Sequence, residues 1–146
     1  MTLSTALVWF RRDLRLHDHP ALVAATEHAS SGHASSGHAP RVVPLFVVDT
    51  SLLGGRFASA NRTWFMLGSV ATLRSSLRAL GSDLVVRVGD PREIVPAVAL
   101  EIGATDVFVS RDHAPYGRAR DRVVAASLAD GGVAWHARRG NLVHEP

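Results

Sequence analysis

The chain has no cysteine and no lysine among its 146 residues. The first absence removes disulfides, thiolate nucleophiles and cysteine-based zinc sites. The second leaves all sixteen basic residues as arginine, and guanidinium groups, with a pKa of ~12.5 or higher, set the pI of 10.9 almost alone. The net charge is only +3, which an arginine-biased genome explains as readily as a nucleic-acid partner. No apolar run approaches the ~20 residues of a membrane span. No basic segment followed by an apolar stretch and a small-residue cleavage site opens the chain, so a cytoplasmic protein is expected. Several ligand motifs are missing as well. There is no G-x-G-x-x-G, no G-x-x-x-x-G-K-[ST] and no G-x-S-x-G. The serine-glycine phosphate loop of ATP pyrophosphatases is absent, as is the glycine-spaced motif of ATP-binding stress proteins. His113 has no nucleophile beside it, so no catalytic triad is in view.

What is present is an apolar chain, 47% hydrophobic and 20% charged, a balance that predicts one folded domain rather than disorder. Apolar runs at 6–10 (ALVWF), 42–48 (VVPLFVV), 84–88 (LVVRV) and 106–110 (DVFVS) read as buried strands. VAWHAR (133–138) alternates, with Val133, Trp135 and Ala137 on one side, as in a half-exposed edge strand. Pro44 lacks a ladder donor and is expected at a strand's start, with Leu45 to Val48 pairing. Helices are predicted between the strands. The first starts at Pro20 with Asp18 or His19 as cap. The second runs from about Ala60 to Leu80, its stripe Met66, Val70, Leu73, Leu77 and Leu80, and Gly81 stops it. The third is capped by Asp90, with Pro91 and Glu93 in its first turn and a tight turn expected around Pro96. The fourth follows Pro115 and turns Val124 and Leu128 inward. This alternation predicts an α/β fold: a Rossmann-like five-stranded parallel sheet in the order 3-2-1-4-5 with helices on both faces. The tandem repeat HASSGHASSGHAP (28–40) reads as a low-complexity loop insertion. Its His28, His33 and His38 are not expected to bind metal, because the glycines and serines between them fix no geometry.

In an open parallel sheet a ligand sits beyond the carboxyl ends of the strands, where strand order reverses. Here that crevice falls between the first and fourth strands, flanked by loops 11–19 and 111–117. These are the most densely charged stretches of the chain, RRDLRLHDH and RDHAPYGRARD. Arg11 and Asp112 stand at matching positions after the two strands and are the leading ligand contacts. Asp13 and Arg15 are expected to hold the loop in shape. Asp49 ends the second strand near the same rim as either a contact or a turn cap. Arg118, Arg120 and Asp121 read as an ordinary solvated helix start, and Trp9 and Phe10 as core, with Phe10 at the pocket wall.

VWFRRDLRLHDHPAL (8–22) resembles the opening of the DNA photolyase and cryptochrome family. The resemblance continues through RVVPLFVVD (41–49), LRSSLRALGSDLVVRVGDP (73–91) and RDHAPYGRARD (111–121), and closes at NLVHEP (141–146). It implies the N-terminal light-harvesting antenna domain, residues 1–140, followed by the start of an interdomain connector at 141–146. In such a protein a pigment in the crevice absorbs near-ultraviolet or blue light. It passes excitation to reduced FAD in a separate C-terminal helical domain. That domain also binds the damaged DNA and splits pyrimidine dimers by electron transfer. The resemblance places FAD outside this chain and calls for no metal and no membrane. Folate-binding members carry Asn-Glu where this chain has Tyr116 and Gly117, which favours a deazaflavin or flavin nucleotide as antenna chromophore. The implied pigment-binding residues are Phe10, Arg11, Asp13, Phe46, Val48, Asp49, Asp112, Tyr116 and Arg118. An asparagine of the family is replaced by His19, a weaker cap.

Three functions fit the sequence. The first is the antenna domain of a deoxyribodipyrimidine photolyase, with no activity expected of this stretch alone. The second is the same domain of a cryptochrome blue-light receptor. The third is a stand-alone nucleotide-binding domain.

Overall fold

Runs of Val, Leu, Phe and Trp without polar interruption need cover on both faces, and one parallel sheet provides it. A computed structural model describes residues 4–31, 41–56 and 58–140. The elements in chain order are β1 (Thr5–Phe10), α1 (Pro20–Ser31), β2 (Arg41–Asp49), α2 (Thr50–Leu53), α3 (Ala60–Ala79), β3 (Val85–Gly89), α4 (Pro91–Glu101), β4 (Asp106–Ser110), α5 (Pro115–Asp130) and β5 (Ala134–Arg138). The strands pair in the order β3-β2-β1-β4-β5, all parallel, so the predicted topology holds. Successive side chains of β1 go to opposite faces. Ala6, Val8 and Phe10 pack with α1 and α3, and Leu7 and Trp9 with α4 and α5. Ala21, Ala25 and Ala29 are the buried residues of α1. Their spacing of four puts a row of methyl groups on the sheet-facing side of the helix and lets the two approach closely.

Four local expectations need correction. Pro44 lies inside β2, opposite Val8. It is tolerated because β3 joins β2 only from Leu45 onward, so Pro44 has a strand neighbour on one side. The third strand begins at Val85, and as an edge it leaves Val88 exposed. Leu80 is 74% exposed, because α3 ends at Ala79 and Gly81 turns the chain with φ 79°. Pro96 sits within α4 without breaking it. The carbonyl it leaves without an i+4 donor belongs to Arg92, an exposed first-turn residue. The short α2, capped by Asp49, has no counterpart in the sequence pattern.

The start of the histidine repeat is helical rather than looped. His28 belongs to α1, and its Nε2 lies 2.8 Å from Asp106 Oδ2, while His136 Nε2 lies 2.8 Å from the other oxygen. His33, His38 and the expected connector at 141–146 fall outside the described residues.

Candidate functional site

The loop after β1 is built around one buried carboxylate. Asp13 is 2% exposed and accepts hydrogen bonds from the Arg11 N–H at 2.9 Å and from the Ser110 hydroxyl at the end of β4. His19 Nε2 is 2.7 Å from Asp13 Oδ2, within ion-pair reach but outside hydrogen-bond geometry. Burial works to raise the Asp13 pKa. The His19 imidazole, the Arg11 N–H and the Ser110 hydroxyl outweigh it and hold the carboxyl well below the usual range. The other ring nitrogen of His19 accepts the Leu22 N–H at 3.1 Å, so histidine caps α1 where an aspartate or asparagine is the ordinary choice. Arg15 closes the loop by donating to the carbonyls of Asp18 and Gly140, both at 2.9 Å. Asp13 and Arg15 thus hold the loop in shape, as the sequence suggested.

The loops after β1 and β4 meet through a chain of alternating charges. Arg11 Nη1 donates to both oxygens of Asp121 at 2.5 and 2.7 Å, and Nη2 donates to the Ser110 carbonyl. Arg120 Nη2 donates to Asp121 at 3.0 Å and to Asp112 at 3.3 Å. Asp112 also accepts the Ala114 N–H at 3.0 Å, fixing the entry to α5. Both guanidiniums lie over the Trp9 indole, at 4.8 Å for Arg11 and 4.9 Å for Arg120, in cation–π contact. Gly117 makes the arrangement possible, because a Cβ there would collide with the Asp112 carboxylate. Arg120 and Asp121 are therefore structural centres of the site and not a solvated turn. The partner of Asp121 stands 110 residues away in Arg11, and Arg120 lies over Trp9 of β1, both beyond the reach of local pattern.

A cavity of about 670 Å³ opens above this network. Arg11, Arg12 and Leu14 from the loop after β1 line it, as do Asp112, Ala114 and Tyr116 after β4. The two loops predicted to share a hollow do share one. It extends further than expected, past Phe46 and Asp49 of β2 to Leu52 and Leu53 of α2 and Phe65, Met66 and Ser69 of α3. The mixture of a broad apolar wall and a few convergent polar groups suits a small organic ligand. Tyr116 donates to Asp49 Oδ2 at 2.6 Å across the mouth, joining α5 to the start of α2. Burial, and the hydrogen bond to the Asp49 carboxylate, push the Tyr116 phenol upward.

Of the nine residues implied as pigment contacts, Arg11, Phe46, Asp49, Asp112 and Tyr116 line the cavity. Asp13 stands behind it as the loop's brace. Phe10 and Val48 are buried in the core with α1 and α3 and do not line the cavity, although Phe46 on the same face does. Phe10 packs edge-on against His19 at 4.9 Å. Trp9, read as core, is buried as expected and is the β1 residue that also meets the cavity. Arg118 lines a separate cavity on the β5 side. Among the described residues no group of three or more histidines and acids is arranged to hold a metal ion, and no helix is long and apolar enough to cross a membrane.

Comparison with known proteins places this geometry. A bacterial class III photolyase from Agrobacterium tumefaciens superposes with a TM-score of 0.81 at 35% identity, over 100% of this chain and 28% of that one. An archaeal photolyase from Sulfolobus tokodaii was crystallised with two FAD molecules, which implied a novel light-harvesting cofactor in that protein. It superposes with a TM-score of 0.81 at 26% identity, over 97% of this chain and 30% of that one. A cryptochrome DASH from Natronomonas pharaonis is 35% identical over 149 residues, 99% of this chain and 29% of its own. The chain spans between 19% and 48% of the length of eight curated relatives that it matches. The DNA photolyase family profile matches residues 6–146. With the strand order, the two charged loops and the cavity they enclose, this establishes that the chain belongs to the DNA photolyase family and corresponds to its N-terminal α/β antenna domain.

Proposed function

We propose that the 670 Å³ cavity holds a flat conjugated pigment, a flavin or deazaflavin in preference to a folate. On this reading the domain serves as the light-harvesting part of a longer deoxyribodipyrimidine photolyase, whose FAD-bearing helical domain binds damaged DNA. The observation that carries it is the cavity itself, seated at the strand-order reversal with Arg11 and Asp112 on one shared rim. Its fit is chemical as well as spatial. Phe65, Met66, Leu52 and Leu53 offer an apolar wall, and Arg11, Asp112 and Tyr116 offer a donor, an acceptor and a phenol to the polar edge of a ring. Tyr116 occupies the mouth where a folate-binding member has asparagine, which supports a flavin-type ring. The two FAD molecules of the Sulfolobus tokodaii relative support it from outside. When bound, such a pigment supplies absorption in the near ultraviolet and blue.

A second reading, the same domain in a cryptochrome light receptor, is supported by the cryptochrome DASH relative. It leaves the cavity's role unchanged and differs in what the longer protein does with the light. A repair assay on that longer protein separates the two, since a receptor leaves pyrimidine dimers intact.

The test is an absorption spectrum of the purified chain, followed by titration with flavin mononucleotide read by quenching of flavin fluorescence. Binding is expected in the natural sequence. Asp112→Ala is expected to weaken it about tenfold, the loss of one charge-assisted contact, and Arg11→Ala to do the same, with circular dichroism confirming the fold. Flavin that binds equally well to both variants removes the pigment from this cavity.

A further inference from the structure

Beyond Asp112 lies the second cavity, of about 520 Å³, between the first half of α5 and β5. Arg118 and Arg122 both line it, and their i, i+4 spacing puts the two guanidiniums on one helix face. Asp112 and Asp121 also border this space, but their carboxylates are committed to the pigment-side cations. Asp121 receives Arg11 and Arg120, and Asp112 receives Arg120 and the Ala114 N–H. The partition between the cavities is thereby sorted by charge. Its acids already take donors from the pigment side, and neither Arg118 nor Arg122 has an ion pair or side-chain hydrogen bond among the described residues. Like charges one turn apart repel. A doubly charged oxyanion seated between them removes that repulsion and takes charge-assisted hydrogen bonds from both forks. The floor beside them is apolar, formed by Ala125, Trp135 and Ala137, and Trp135 is only half-buried.

We propose that this second cavity binds a phosphate ester with a flat apolar body, a mononucleotide by chemical class. Arg118 and Arg122 hold its phosphate and Trp135 packs against its base. The site is separate from the pigment cavity and does not depend on what fills it. The same phosphate chemistry is offered by a free nucleotide and by a single-stranded nucleic acid, and the two are distinguished by titration.

Backbone-amide and indole NMR spectra of the 146-residue chain are recorded with adenosine monophosphate, with inorganic phosphate and with a short thymidine strand. Adenosine monophosphate is expected to shift the signals of residues 118–125 and the Trp135 indole, with a Kd on the order of 1 mM. Inorganic phosphate is expected to bind more weakly and to leave the indole in place. Arg118→Gln combined with Arg122→Gln is expected to weaken adenosine monophosphate at least about tenfold. Both positions are exposed, so the rest of the spectrum reports an intact fold. Tighter binding of the thymidine strand at these residues, lost in the same variant, assigns the site to a nucleic-acid phosphate. The proposal is overturned if none of the three probes moves these signals at about ten times that concentration, or if the shifts survive the double substitution.

Discussion

Asp13 touches no part of the cavity, yet the loop beside the cavity hangs on it. Its native pKa lies below the ordinary carboxylate value because the folded chain supplies the His19 imidazole and two donors that outweigh burial. In the unfolded chain it titrates normally, near pH 4. Between that value and the lower native one the unfolded state binds more protons, so stability falls as the pH falls. The contribution is complete above about pH 5 and is lost on acidification through the native pKa. Asp13→Asn is expected to cost about 1–3 kcal/mol at neutral pH, and the cost should shrink towards pH 3. Urea unfolding at a series of pH values measures both. At this scale sequence reading succeeded where function is local. Asp13 and Arg15 were legible as braces because most of their partners, Arg11, His17, Asp18 and His19, lie within a few residues, with Ser110 and Gly140 the distant ones. Arg120 and Asp121 were not, because what makes them buried is Trp9 and Arg11, brought over by the β1–β4 pairing. Trp9 and Phe10 are both core, as expected, but Trp9 and not Phe10 also meets the cavity. His19 packs edge-on against Phe10 and shares its burial, and an uninterrupted apolar run does not show which of its residues such a distant side chain will cover.

Among the elements, α5 does the most for the site. Its N-terminus carries Tyr116 across to Asp49, and its second turn carries Arg120 and Asp121 into the charge network. The backbone comes close enough to the β4 loop only because residue 117 lacks a side chain. Gly117→Ala is expected to displace the Asp112 carboxylate, break its contacts with Arg120 and the Ala114 N–H, and cost about 1–3 kcal/mol. A thermal melt reads the stability loss, and the flavin titration should weaken in parallel with Asp112→Ala. The helices and strands themselves were largely legible, from spacing and from caps such as Asp90 and Pro91. The short α2 was not, since four residues carry no period, and its start is set by the Asp49 side chain accepting from Ser51. Its leucines and the Phe65–Ser69 turn of α3 form the wall that sequence reading missed.

For the whole molecule, the uneven feature is the outer surface of α3. Trp64 is 80% exposed and Phe65 73%, with Leu52 and Leu67 also exposed nearby. Apolar surface so contiguous favours self-association. The chain is expected to form dimers or larger species by light scattering at high concentration, and Trp64→Ser to shift it toward monomer. A natural-sequence chain that stays monomeric there removes this patch as a sticky surface. The sheet order, by contrast, followed from alternation of strands and helices with the general rules of parallel connection.

The cavity wall also has a history written into the sheet. β1 and β2 adjoin in the chain apart from α1 and the segment after it, but the β1–β4 pairing joins residues about one hundred positions apart, Ala6 with Asp106. Contacts that distant are slow to form, because loop-closure entropy is lost before they are gained. A half-made molecule holding β1, β2 and β3 would own one bank of the hollow and not the other. Occupancy of that hollow therefore reports that the last strands have arrived.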